Sequence, residues 1–104
     1  MTDAPTYLAL SGSERDHLLG VCISDGSSGR SIHGTVQNLR DETFHPVATY
    51  DPLESLAERG LIKKWEQDID GRTNSYVLTD DGRETIDSAA AIFERLDDGD
   101  GSDQ

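Results

Sequence analysis

The feature that most constrains this sequence is the order of signals in residues 49–78, TYDPLESLAERGLIKKWEQDIDGRTNSYVL. They read as a helix, a glycine stop and a β-hairpin. Leu53, Leu56 and Ala57 recur at helical spacing, with Glu54, Ser55, Glu58 and Arg59 on the other face. Gly60 follows the last periodic residue, where the left-handed backbone of a helix C′ position accepts glycine without a Cβ clash. Residues 61–67 read as one strand and 73–78 as its partner. Asp70-Gly71 between them suits the positive φ of a tight hairpin turn. A chain of 104 residues is one domain. Its few aromatics and modest apolar fraction suit helices packed around a small hairpin better than a large sheet.

The flanking chain supplies those helices. Residues 1–10 form a short leader in which Tyr7, Leu8 and Leu10 alternate weakly; it is expected to pack on a partner subunit or to fray. Ser13-Glu14-Arg15-Asp16 resembles a capping box and opens a helix over about 14–24, with Leu18, Leu19, Cys22 and Ile23 as its stripe. Residues 25–29 are a loop by composition. The next helix runs from Ser31 or Ile32 to Arg40, with Ile32, Val36 and Leu39 inward. Gly34 within it costs about 1 kcal/mol against Ala, so a close approach to a neighbouring helix is expected there. The helix that follows is signalled twice. His45-Pro46 offers proline at its first position, whereas Asp51-Pro52 offers a cap and then proline. A start near Pro46 makes Pro52 a kink. Thr79 precedes the last helix, about Asp80 to Leu96, with Asp80 and Asp81 beside its N-terminus. A short strand around Arg30-Ser31 is expected to add a third edge to the hairpin, and the acidic tail 97–104 to be disordered.

The run Tyr50-x-x-Leu53-x-x-Leu56-x-x-x-Gly60-Leu61, followed by Tyr76-x-Leu78-Thr79-x-x-Gly82-Arg83, resembles the PadR-like family of transcription regulators. His33-Gly34 is similar to that family's His-Gly pair, and residues 70–76 to the wing of its haloarchaeal members. The family's proline directly follows its tyrosine; here Pro52 stands one place later. Over residues 11–96 the resemblance implies an α+β winged helix-turn-helix: three helices and a two-stranded wing over 11–79, then a dimerisation helix over 80–96. It also implies a homodimer that binds a pseudo-palindromic operator in double-stranded DNA to regulate transcription. Haloarchaeal members include regulators of the oxidative-stress response, and the resemblance extends that role to this chain as an expectation.

The charge bears on that implication. Twenty-one acids against nine bases leave −12, and affinity for DNA comes mostly from Lys and Arg on phosphates. A domain for a basic partner and a protein of a high-salt cytoplasm both fit. The distribution favours the second. Residues 1–29 carry −3, residues 30–76 only −2, and residues 77–104 carry −7. The candidate reading head is the least acidic part for its length. Asp51, Glu54, Glu58, Glu66, Asp68 and Asp70 lie in or beside it, so K⁺ ions at the DNA interface are expected. No apolar run reaches the roughly 18 residues of a membrane span, and no basic secretory signal opens the chain. The protein reads as cytoplasmic, without a membrane partner.

Residues at the N-terminal part of a recognition helix reach base edges in the major groove. Here they are His45, Val47, Ala48, Thr49 and Tyr50. None offers the bidentate contact to guanine that Arg or Lys makes. Tyr50 is equally a candidate for the core. Arg72, with Thr73 and Asn74, stands at the hairpin, where an Arg can enter a narrow minor groove. Lys63 lies on the strand before it, and Arg30 and Arg40 flank the second helix as phosphate clamps or ordinary ion-pair partners. In the last helix Ile86, Ala89, Ala90, Phe93 and Leu96 form the expected dimer stripe, with small residues that let two helices approach. Cys22 reads as core rather than redox switch. The histidines have no metal-ligand spacing, no cofactor motif is present, and no catalytic motif marks an enzyme. The rival reading is a winged helix that binds protein and not DNA.

Overall fold

Ser11, not Ser13, opens the first long helix. In the computed structural model, which describes residues 4–66 and 74–101, the Ser11 hydroxyl accepts from the Glu14 amide at 3.0 Å. The Glu14 carboxylate accepts from the Ser11 amide at 2.8 Å. This closes a capping box on helix α2, Gly12–Ile23. The earlier start changes which residues face inward. Leu18 and Val21 are fully buried, Leu19 and Cys22 are half-buried, and Ile23 is exposed. Asp16 is released from the expected capping role and pairs with Arg40 at 2.8 Å. The leader forms helix α1, Ala4–Ala9, and packs on its own chain. Tyr7 meets Phe93 edge-on at 6.5 Å, Arg15 donates to the Tyr7 and Leu8 carbonyls, and Leu10 enters the core.

Strand β1, Ser27–Ser28, leads directly into helix α3, Gly29–Arg40. The expected third strand therefore exists, but before Arg30. Ser28 ends the strand and caps the helix, accepting from the Ser31 amide, which brings both elements forward. Ile32 and Val36 are buried, while Leu39 stays exposed. The close approach lies at Gly20 of α2, not at Gly34. A Cβ on Gly20 would stand 2.8 Å from Val36 Cγ2 and 3.3 Å from Ile32 Cγ2, whereas Gly34 faces open space.

Both proline signals are used. A 3₁₀ turn, Pro46–Thr49, runs into helix α4, Tyr50–Glu58. Pro52 has no N–H for the Ala48 carbonyl, so α-type pairing cannot begin that early and the tighter turn takes its place. Gly60, at φ 79°, ends α4. Its amide bonds to the Ala57 carbonyl and that of Leu61 to the Leu56 carbonyl, both at 3.0 Å, a Schellman closure. Strands β2, Ile62–Glu66, and β3, Asn74–Leu78, pair antiparallel from Ile62↔Leu78 to Glu66↔Asn74. β1 pairs with the other edge of β3, Ser27 opposite Tyr76, giving the order β1-β3-β2. The expected turn at Asp70-Gly71 lies outside the described residues.

Helix α5, Asp80–Gly101, is rooted on the Gly60 turn. The Thr79 hydroxyl donates to the Gly60 carbonyl at 2.6 Å and accepts from the Gly82 amide at 3.0 Å. A Cβ on Gly82 would fall 2.0 Å from the Leu61 carbonyl oxygen, so only glycine allows this approach. The helix passes Leu96 and continues to Gly101, into the tail expected to be disordered. Each added residue of an existing helix gains one bond at no new nucleation cost. The core joins α2, α3, α4 and the sheet through Leu18, Val21, Ile32, Val36, Leu53, Leu56, Leu61, Ile62 and Tyr76. Among the described residues no helix is long and apolar enough to cross a membrane.

Candidate nucleic-acid interface

Helix α4 is held from beneath by polar contacts at both ends. At its trailing end Glu14, 8 % exposed, accepts from the Ser55 hydroxyl and from Arg59 Nε at 3.1 Å. The Ser55 hydroxyl, the Ser11 amide and the Arg59 guanidinium outweigh the opposing effect of burial. Together they hold the Glu14 carboxyl down to about 2, from an ordinary 4.5. One carboxylate thus ties the cap of α2 to the far half of α4.

The leading end is gripped by aromatic and polar groups. Phe44 donates its amide to Gln37 Oε1 at 3.0 Å, and its carbonyl accepts from His33 Nε2 at 2.7 Å. Its ring lies edge-on to His33 at 4.6 Å and to His17 at 6.1 Å, with the Arg40 guanidinium 4.8 Å from its centroid. His17 and Thr49, both fully buried, meet at 3.2 Å.

This scaffold turns a short row of side chains outward. Val47 is 67 % exposed and Tyr50 48 %, and His45 and Ala48 also face solvent. His45 Nδ1 accepts from the Val47 amide at 3.1 Å, fixing the start of the turn. Tyr50 is not core: its ring lies across Gly29, where a Cβ would stand 3.1 Å from its Cε1. Thr49 is corrected. Its hydroxyl is turned to His17 and cannot reach a base. Arg40 is half-buried and takes the ion-pair alternative: its guanidinium is engaged by Asp16 and by the Phe44 ring. Arg30 is exposed at the start of α3.

On β2 the two lysines face opposite ways. Lys64 approaches Glu54 at 3.8 Å, while Lys63 lies over the ring of Trp65 at 4.8 Å. Trp65 is 52 % exposed, an outward aromatic that strand alternation alone did not flag as a surface feature. Asn74, at the start of β3, is half-buried. Arg72 and Thr73 lie outside the described residues. Asp51, Glu54 and Glu58 are exposed along α4, so the helix that presents the outward row also carries acids.

The stripe on α5 divides. Ala89 is buried within the chain, which removes it from a free interface, and Ile86 is half-buried. Ala90, Phe93 and Leu96 face outward, as does Leu8 on the helix packed against α5. Among the described residues no cluster of His, Cys, Asp and Glu could hold a metal ion.

No family model matches the chain. No curated protein matches it in sequence. Solved structures do share its architecture. RosR of H. salinarum is 24 % identical, with a TM-score of 0.68 over 84 % of this chain and 77 % of that one. BpsR of Bordetella bronchiseptica is 17 % identical, with a TM-score of 0.70 over 86 % and 64 %. A MarR family transcription regulator is 19 % identical, with a TM-score of 0.72 over 89 % and 60 %. The chain spans slightly less than two-thirds of the last two. At such identities the likeness establishes the fold, an α+β winged helix with a C-terminal helix, as found in transcription regulators.

Proposed function

We propose that this chain is a PadR-like transcription regulator that binds an operator in double-stranded DNA as a homodimer. The observation that carries the reading is the two-sided build of residues 46–58. Leu53 and Leu56 are fully buried, while Val47, Ala48 and Tyr50 at the leading end are turned outward. Such a leading end is the part of a recognition helix that reaches base edges. Regulation of DNA binding is the stated property of BpsR, which shares this fold. In this reading Val47 and Ala48 meet thymine methyls, Tyr50 and His45 bond to bases or phosphates, and Arg30, Lys63 and Asn74 lie at the flanks. Arg72 and Thr73, outside the described residues, are further candidate DNA contacts. Ala90, Phe93 and Leu96 form the contact with the second copy, which sets two reading helices about 34–36 Å apart on a pseudo-palindromic site. A role in an oxidative-stress response rests on the family resemblance alone.

The acids on α4 give this interface a particular ion dependence. Carboxylates of Asp51, Glu54 and Glu58 brought near phosphates raise the local demand for cations, so K⁺ is retained or taken up on binding. An ordinary protein that neutralises Z phosphates shows a log–log salt slope of about −0.9Z, because it releases cations. Here the two terms oppose and the slope is shallow. The test is selection from a random duplex pool in molar KCl, followed by isotherms from low to molar KCl on wild type and on Glu54→Gln/Glu58→Gln. The expected result is an enriched inverted repeat, with a steeper slope in the variant. A pool without enrichment contradicts the DNA reading and favours a protein-binding module. An unchanged slope removes the ions.

A further inference from the structure

We infer that His17 is the positioning residue of the reading turn: its ring, hydrogen-bonded to Ser13 and Thr49, holds the 3₁₀ turn in the rotation that presents Val47, Ala48 and Tyr50. The inference rests on the DNA-binding reading above and names a residue of α2 that does not touch DNA. The hydrogen-bond chemistry is one-way. Nδ1 lies 2.8 Å from the Ser13 carbonyl, which can only accept, so Nδ1 carries the proton. In the neutral ring Nε2 then has only a lone pair, and the Thr49 hydroxyl, 3.2 Å away, donates to it.

Thr49 has few alternatives. It is fully buried, it ends the 3₁₀ turn, and its neighbours Ala48 and Tyr50 both face outward. Holding its side chain therefore sets the rotation of the whole turn about the chain axis. The groups around the ring keep it neutral. Burial is the largest influence and pushes the imidazole below its ordinary value, and Arg40 of α3 adds to that. Asp16 and the Ser13 carbonyl on α2 act the other way, and His33 of α3 lowers it further. A second proton, on Nε2, would take the acceptor away from Thr49 and leave the hydroxyl hydrogen to find another partner in a dry site.

Thr49→Val keeps the shape and removes the hydroxyl; Thr49→Ser keeps the hydroxyl. NMR on the free protein reads the turn without DNA, through the His17 ring-nitrogen shifts and the amide exchange of residues 47–50. Isotherms against the duplex recovered by selection read its consequence. In wild type the ring is expected as the Nδ1–H tautomer. Thr49→Val should accelerate exchange across 47–50, leave the amides of Leu18, Ile32 and Tyr76 protected, and weaken binding about tenfold. Thr49→Ser should restore both to within about twofold. An Nε2–H tautomer in wild type, or a Thr49→Val turn exchanging as wild type does, overturns the inference. So does binding equal to wild type. If no duplex is recovered, the DNA reading falls, and the tautomer and exchange data still decide whether His17 holds the turn.

Discussion

The reading turn, residues 46–50, and the outer half of α5 both expose apolar side chains, yet they are held in opposite ways. Val47 and Tyr50 stand on a base of polar contacts: His17 bonds Thr49 at the leading end of α4, His33 holds Phe44 ahead of the turn, and Glu14 holds the far half of α4. Phe93 and Leu96 stand on a helix whose described contact at that level is the edge of Tyr7. The first surface is pre-organised, so a ligand meeting it need not be charged for ordering it. The second presents apolar area with little behind it, as an element does when a second copy completes its core. The contrast separates what the fold fixes by itself from what the proposed association would supply.

The largest effect should come from breaking the base of the reading helix. Glu14→Gln replaces a carboxylate that accepts from Ser55, Arg59 and the Ser11 amide with a group whose NH₂ faces donors. Lowering a carboxyl from 4.5 to about 2 corresponds to roughly 3 kcal/mol, somewhat less here because Arg59 is 44 % exposed. The folded value lies below the unfolded one, so this stabilisation is complete above pH 4.5 and is lost as pH falls towards 2. Urea melts of wild type and variant should differ by about 2–3 kcal/mol at pH 7, with the gap closing below pH 4.5. A gap at pH 3 as wide as that at pH 7 would mean the loss is one of shape, not of charge.

A smaller effect on stability, with a larger one on mass, is expected at the other surface. Phe93→Asp removes one edge-on aromatic contact, worth about 0.5–1.5 kcal/mol beyond area. It also places a charge in the proposed dimer contact. Light scattering should show a dimeric wild type and a monomeric, folded variant. A variant that still dimerises fully moves the association surface elsewhere.

The same contrast explains what was legible in the sequence. The helix, glycine and hairpin of residues 49–78 were readable because capping and alternation are local. Gly60 closes its turn with bonds from adjacent residues, and the Ile62↔Leu78 pairing follows from which side chains face inward. The base of the site was not local. Ser11-x-x-Glu14 and Ser13-x-x-Asp16 are overlapping capping patterns. What distinguishes them is Ser55 and Arg59, 41 and 45 residues beyond Glu14. Gly20 and Gly34 are alike as helical glycines, and only the rotation of α2 against α3 decides which one lies at the crossing. Thr49 sits among outward residues and is itself inward, because the 3₁₀ turn rotates it towards a histidine 32 residues earlier.

The central claim is that the outward row of His45, Val47, Ala48 and Tyr50 reads DNA. Val47 is two-thirds exposed, so Val47→Asp should change stability by no more than about 0.5 kcal/mol. On a reading surface the new carboxylate meets base edges and phosphates. Isotherms of wild type and Val47→Asp against the selected duplex, at one KCl concentration and with melting curves in parallel, test this most directly. The account predicts equal melting and an affinity at least about tenfold weaker. Equal melting with wild-type affinity would contradict it.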